Sequence, residues 1–213
     1  MKIGIFDSGR GGTTVMAAIK ERLSEAEYKY IGDSKNCPYG EKTDAELMRI
    51  VTGHVETLKE WGVQIIVIAC NTATTKCIEE LRMKYPDLKF VGTEPAIKLA
   101  AESGAKKVLV MATPGTIHSE RVMSLLAENQ RPGQEIDLLA CAGLADVIEA
   151  GAGIDEKLAE LLKGMDKDYE VVVLGCTHYS LAKPEIQKYF PEAKLIDGNE
   201  GVAKRVVELT KQG

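Results

Sequence analysis

An alternation of two kinds of segment most constrains what this chain can fold into. Short apolar runs rich in β-branched residues fall at 2–6, 28–31, 65–69, 90–92, 108–111, 136–140, 171–174 and 195–196. Between them lie stretches such as 14–23, 44–61, 74–85 and 119–128, whose apolar residues recur three to four apart, the spacing of one helical face. The short runs are apolar almost throughout and do not alternate, which marks strands covered on both faces, as in a parallel sheet. Strand–helix–strand alternation then predicts an α/β fold with right-handed crossovers.

The alternation itself repeats. Residues 2–6 match 107–111, residues 66–70 match 172–176, and residues 89–92 match 194–197, each pair separated by about half the chain. This predicts two similar α/β lobes arising from a structural duplication. A single doubly wound sheet of about eight strands is the alternative. In open parallel sheets ligands sit outside the carboxyl ends of the strands, and two lobes related by a pseudo-twofold are expected to turn those ends toward one shared site.

Charge and composition exclude several partners. Twenty-seven Lys and Arg against 32 Asp and Glu leave a net charge of −5, and no basic run offers a footprint for nucleic acid or an anionic membrane. The 45% hydrophobic and 28% charged residues are those of a chain that buries a core, not of a disordered one. Apolar stretches such as 65–69 fall far short of the roughly 18 residues that a membrane span needs. An acid at position 7 interrupts what a signal peptide would require to be apolar. The expected location is the cytoplasm. Five cysteines, at 37, 70, 77, 141 and 176, form no Cys-x-x-Cys pair and are expected to be free thiols.

The chemistry-bearing residues gather after the strands. The first strand runs into Asp7-Ser8-Gly9-Arg10-Gly11-Gly12, a glycine-rich turn into a helix. The phosphate-loop spacings are missing, and an acid leads the loop where it would repel phosphate. The loop reads as a nest for a carboxylate, or as a tight turn that needs glycine. The third strand ends in Ala69-Cys70-Asn71-Thr72, and its counterpart ends in Gly175-Cys176-Thr177-His178. A lone cysteine there is a packing residue, but two at equivalent points of a repeat, each entering a helix and each followed by polar side chains, suggest reactive thiols. They could hold a metal with His178, form a redox pair, or stand on opposite faces of one carbon to remove and return a proton. Only the last uses the repeat; no metal site is expected. Cys37, Cys77 and Cys141 read as packing residues, His54 as a surface or half-buried residue of a helix, and Trp61 as a core anchor.

Together these loops resemble the aspartate/glutamate racemase family, most closely its members that act on glutamate. The matching stretches are Asp7 to Gly12, Gly32-Asp33 leading to Pro38-Tyr39-Gly40, Ala69 to Ala73, Pro95-Ala96, Ala140-Cys141 leading to Glu149-Ala150-Gly151, and Gly175 to Tyr179. The resemblance spans essentially the whole chain. It implies two Rossmann-like lobes, residues 1–95 with 200–213 and residues 96–199, with the active site between them, and cofactor-independent racemisation of an acidic amino acid. By that likeness Cys70 and Cys176 are the acid/base thiols, Asp7 and His178 their partners in proton transfer, and Asp33 and Glu149 supporting groups. Asp7, Ser8, Tyr39, Gly40, Asn71, Thr72, Thr177 and His178 would hold the substrate, with Thr113 and Thr116 matching more loosely. The likeness also implies a homodimer and a role in supplying D-glutamate for peptidoglycan. Alanine at 142 and serine at 180 stand where the family usually has proline.

The chemistry suits the assignment. An α-proton between an ammonium and a carboxylate is weakly acidic, so the carbanion needs fixed donors in an excluded site. One thiolate and one thiol, exchanging states at each turnover, make the two directions equivalent. Aspartate as substrate, or both acids, is the nearest alternative. A silent dicarboxylate-binding protein and a thiol hydrolase or lyase of the same superfamily are the others.

Overall fold

The structure is a computed structural model that describes residues 1–211. Residues 212 and 213 of the expected first-lobe tail lie outside the described residues. In chain order the elements are β1 (Lys2–Asp7), α1 (Thr13–Lys20), β2 (Glu27–Gly32), α2 (Asp44–Glu60), β3 (Ile65–Ile68), α3 (Asn71–Lys84), β4 (Lys89–Gly92) and α4 (Ile97–Glu102). They continue with β5 (Lys107–Ala112), α5 (Pro114–Ile117), α6 (Glu120–Asn129), β6 (Glu135–Ala140), α7 (Leu144–Ala150), α8 (Ile154–Leu161) and β7 (Val171–Leu174). The last are α9 (Thr177–Leu181), α10 (Lys183–Tyr189), β8 (Lys194–Asp197) and α11 (Asn199–Thr210). No helix among the described residues is long and apolar enough to cross a membrane.

The strands form two four-stranded sheets, ordered β2-β1-β3-β4 and β6-β5-β7-β8, and every pairing is parallel. The single eight-stranded sheet is therefore excluded, and the α/β fold class holds. The chain divides into two compact units, one of residues up to Glu94 together with the stretch from Asn199, the other Pro95–Gly198.

Continuous apolar runs have a direct cause in each unit. In the first, Ile65 and Val67 of β3 join Ile3 and Ile5 in one cluster, while Ile66 and Ile68 join Phe6 in another on the opposite face. The second face is covered by α2 and α3, through Leu47, Val51, Leu58, Ile78 and Leu81. In the second unit Val171 and Val173 pack with Val108 and Val110, and Val172 and Leu174 with Leu109 and Met111. Both faces are thus dry, and alternation would leave polar groups buried.

Local signals set the helix starts. The Thr43 hydroxyl accepts from the Glu46 amide at the head of α2, and that of Ser119 accepts from Val122 at the head of α6. Trp61, expected as a core anchor, is only half-buried: α2 ends there, and Lys2 and Lys29 lie over its ring. The face of the first sheet that α1 covers is completed by α11, whose Val202, Ala203 and Val206 join Ile3, Ile5 and Val67. In the second unit α4 does the same, with Ile97 and Ala100 against Val108, Val110 and Val173. Each unit's fourth strand is thus followed by a helix that belongs to the other unit.

If α11 completes the first core, an unpartnered charge on its buried face destabilises the whole unit. Val206→Asp is expected to lower the unfolding free energy by at least about 3 kcal/mol in urea titrations followed by circular dichroism. Lys204→Ala, on the exposed face of the same helix, is expected to change it by less than about 0.5 kcal/mol.

Candidate active site

In the first unit β1 and β3 are parallel neighbours with Phe6 opposite Ile68, so the residues that follow them emerge side by side at the carboxyl end. Asp7 is fully buried there. Its Oδ2 accepts from the Gly12 amide at 2.9 Å and from the Gly9 amide at 3.4 Å, so the glycine loop wraps the chain's own carboxylate. Gly12 has no room for a side chain. A Cβ there would stand 2.8 Å from the Asp7 Cβ and 2.9 Å from the Ala69 Cβ, which explains the glycine without an external anion.

Cys70 follows Ala69 in extended conformation and is the cap residue of α3. Its Sγ lies 3.6 Å from the Ser8 Oγ, and the backbone amides of Ser8 and Ala73 are directed at the sulfur. Burial and, after it, the negative charge of Asp7 push the thiol up to about 11, which the Ser8 and Ala73 donors only partly offset. Asn71 and Thr72 form the first turn of α3 and are nearly buried.

Asp33 follows β2 and is held by three side chains. The Asn36 amide spans both carboxylate oxygens at 2.9 Å, the Tyr39 hydroxyl donates to Oδ2 at 2.8 Å, and His54 Nε2 lies 2.9 Å from the same oxygen. Burial pushes the carboxyl up, but these hydrogen bonds outweigh it and hold it below the usual carboxylate range. The Tyr39 phenol is raised far above its ordinary value by burial and by the adjacent Asp33 charge. Gly40 follows Tyr39 in a short turn of 3₁₀-helix and is exposed. His54 is half-buried, as expected, but its bond to Asp33 was not foreseen; helical spacing carries no information about a partner 21 residues away.

In the second unit Cys176 occupies the position equivalent to Cys70, one residue past Gly175 and extended at the cap of α9. Gly175 is required by close approach: a Cβ would fall 2.9 Å from the Met111 carbonyl oxygen and from the Ala112 Cβ. The partners differ from those of Cys70. His178 Nδ1 lies 3.9 Å from the Cys176 Sγ, and its Nε2 is 2.8 Å from Glu149 Oε2 at the end of α7. His178 is almost wholly buried. With Nε2–H donating to Glu149, Nδ1 faces the sulfur and can take its proton, while the carboxylate stabilises the resulting imidazolium. Thr113 caps α5 and lies 3.0 Å, oxygen to oxygen, from Thr116, which is fully buried; Thr177 begins α9.

Of the remaining thiols, Cys77 and Cys141 pack in the cores of the two units and Cys37 is half-buried. Burial, first of all, pushes both Cys77 and Cys141 up to about 12. Among the described residues no group of three or more His, Cys, Asp or Glu side chains is arranged to hold a metal ion.

Comparison with known proteins gives concordant matches. The family model for Asp/Glu/Hydantoin racemase matches residues 4–206. A glutamate racemase of Clostridium acetobutylicum is 39% identical over 210 residues, 96% of this chain and 82% of that protein. One from Clostridium botulinum is 40% identical over 213 residues, 96% of this chain and 81% of that protein. Among solved structures, Escherichia coli glutamate racemase in complex with L-glutamate and the activator UDP-MurNAc-ala superposes with a TM-score of 0.89. It is 32% identical, with 99% of this chain and 82% of that chain covered.

The electrostatics of Cys70 give a measurable pH dependence. Alkylation of Cys70 by iodoacetamide, followed by peptide mass spectrometry, is expected to rise with a midpoint near 11, where an unperturbed thiol has its midpoint near about 8.5. Asp7→Asn removes the negative neighbour and is expected to move that midpoint down; an unmoved midpoint would show that Asp7 exerts no charge effect on the sulfur. The sign for stability follows. Below about pH 8.5 the thiol is protonated in both states and its contribution is complete; as pH rises from there through about 11, the unfolded chain binds fewer protons and stability is lost.

Proposed function

The chain belongs to the Asp/Glu/Hydantoin racemase family, and on that premise we propose that it interconverts L- and D-glutamate by proton transfer through two thiols, with no added cofactor. One observation carries the reading. At equivalent positions of two sheets with the same strand order, a cysteine follows a central strand and stands at the cap position of the next helix, one near the Asp7 carboxylate and the other near the His178 ring. A packing thiol needs neither the cap position nor the partner.

In the proposed cycle a thiolate takes the α-proton and becomes a thiol. The second thiol gives its proton to the opposite face of the carbanion and becomes the thiolate. Reversal exchanges the roles of Cys70 and Cys176. Cys70 rests protonated at neutral pH because its folded-state value is about 11, so it must lose its proton as substrate enters, with Asp7 as the nearby acceptor. In the reverse direction Cys70 stays the thiol, His178 instead receives the Cys176 proton, and Glu149 steadies the charged ring. Ser8, Tyr39, Gly40, Asn71, Thr72, Thr113, Thr116 and Thr177 are proposed to hold the substrate's carboxylates and ammonium. Amides fixed before the reaction stabilise developing charge without reorganising. The same reading carries with it a cytoplasmic homodimer whose D-glutamate enters peptidoglycan.

The test is exchange of the α-proton of L- and D-glutamate in deuterated water without pyridoxal phosphate. Cys70→Ser and Cys176→Ser are each expected to lower racemisation by about a hundredfold to ten-thousandfold. Each should also leave residual exchange biased toward a different enantiomer. Full, unbiased activity in either variant would overturn the two-thiol mechanism. Exchange of aspartate but not glutamate would move the substrate and leave the chemistry standing.

A further inference from the structure

We infer that His54 is a positioning residue of the first unit's half of the site, clasping Asp33 and Tyr39 as an Nε2–H donor and so fixing the Tyr39–Gly40 turn. The contacts are local and mutually constraining. His54 Nε2 lies 2.9 Å from Asp33 Oδ2 and 3.1 Å from the Tyr39 hydroxyl oxygen, which itself lies 2.8 Å from Asp33 Oδ2. Three stretches of chain meet here: the loop after β2, the Tyr39 turn and the middle of α2.

Donor counting assigns the hydrogens. An ionised carboxylate only accepts, and a phenol has one hydrogen to give. Tyr39 donates that hydrogen to Asp33, so the phenol oxygen facing His54 can only accept. Both neighbours of Nε2 are then acceptors, and the ring nitrogen between them must carry a hydrogen that the two share. The Asn36 amide nitrogen spans both carboxylate oxygens. Oδ2 thus meets three donors, and Asp33 holds the Tyr39 hydroxyl in place.

The clasp reaches the thiol through Tyr39. Its ring is 2% exposed, belongs to the same apolar cluster as Cys70 and Phe6, and lies close enough to feel the charge of Asp7, and of Cys70 when that thiol ionises. The Phe6 ring packs against His54 at a centroid distance of 5.7 Å, which restricts the imidazole from the side. Removing the His54 donor leaves a nearly buried carboxylate short of one bond and the phenol free to turn.

The kinetic consequence rests on the proposed racemisation, but the tautomer does not. In the ¹⁵N-labelled full-length protein, long-range proton–nitrogen correlation of the histidine rings is expected to show His54 Nε2 protonated, with the signal assigned by its loss in His54→Gln. An unprotonated Nε2 overturns the clasp. In steady-state racemisation of L-glutamate, His54→Phe is expected to raise KM about tenfold while kcat changes less than about threefold. His54→Gln, whose amide can donate from a similar place, is expected to restore KM to within about threefold of the parent. Equal KM values in all three proteins, or a fall in kcat alone, overturn the positioning role. A parent protein that exchanges the α-proton of neither enantiomer refutes the racemase reading, while the ring signal still decides the clasp.

Discussion

A strand covered by helices on both faces has no place along its length for a polar side chain without a partner, and β1, β3, β5 and β7 are all covered in this way. An unpaired polar group buried there would cost about 1–3 kcal/mol. Chemistry is therefore displaced to the carboxyl ends, where the backbone leaves the sheet and amides are available as donors. Asp7, Cys70 and Cys176 all stand there, each at or just beyond the end of a central strand. Gly12 and Gly175 mark how tightly the chain passes as it turns away, since neither position could accept even a methyl group without displacing a neighbour.

Equivalent backbone positions carry unlike surroundings. Cys70 sits beside a buried carboxylate and a serine hydroxyl, which favours the protonated thiol. Cys176 sits beside an imidazole whose far nitrogen meets a carboxylate, an arrangement able to accept a proton and stabilise the result. The two sheets thus agree in where the thiols stand but not in what stands next to them. Two directions of one reaction need matched energetics overall, not matched neighbours, and different partners can serve that end.

The central strands were readable in the sequence because burial on both faces writes a continuous apolar run, and the second sheet because that run recurs at half the chain, whereas β2, β6 and β8 at the edges are only half-buried. The thiol positions were readable as strand ends. Helix α3 begins at Asn71, ahead of the stretch from 74 that apolar spacing indicates, because its first turn is polar and faces the candidate site. The five-residue α9 is too short to show a period at all. What sequence spacing withheld were the pairings: His54 with Asp33, and the 2.8 Å contact between His178 and Glu149. Both join residues from separate elements, and only packing decides which side chains of two elements meet. Trp61 packs against the first core as its size suggests, but the end of α2 leaves it only partly buried, with two lysines over its ring.

The reciprocal placement of α4 and α11 has a consequence for biosynthesis. The unit formed by Pro95–Gly198 is continuous in the chain, whereas the core around Ile3 and Ile5 lacks Val202, Ala203 and Val206 until the ribosome has passed Val206. Domains generally form in the order in which they emerge. Here the later-encoded unit has all its parts first, and the first sheet must wait with one face covered by α1 alone. A chain in which the stretch from Asn199 preceded β1 would reverse that order of completion.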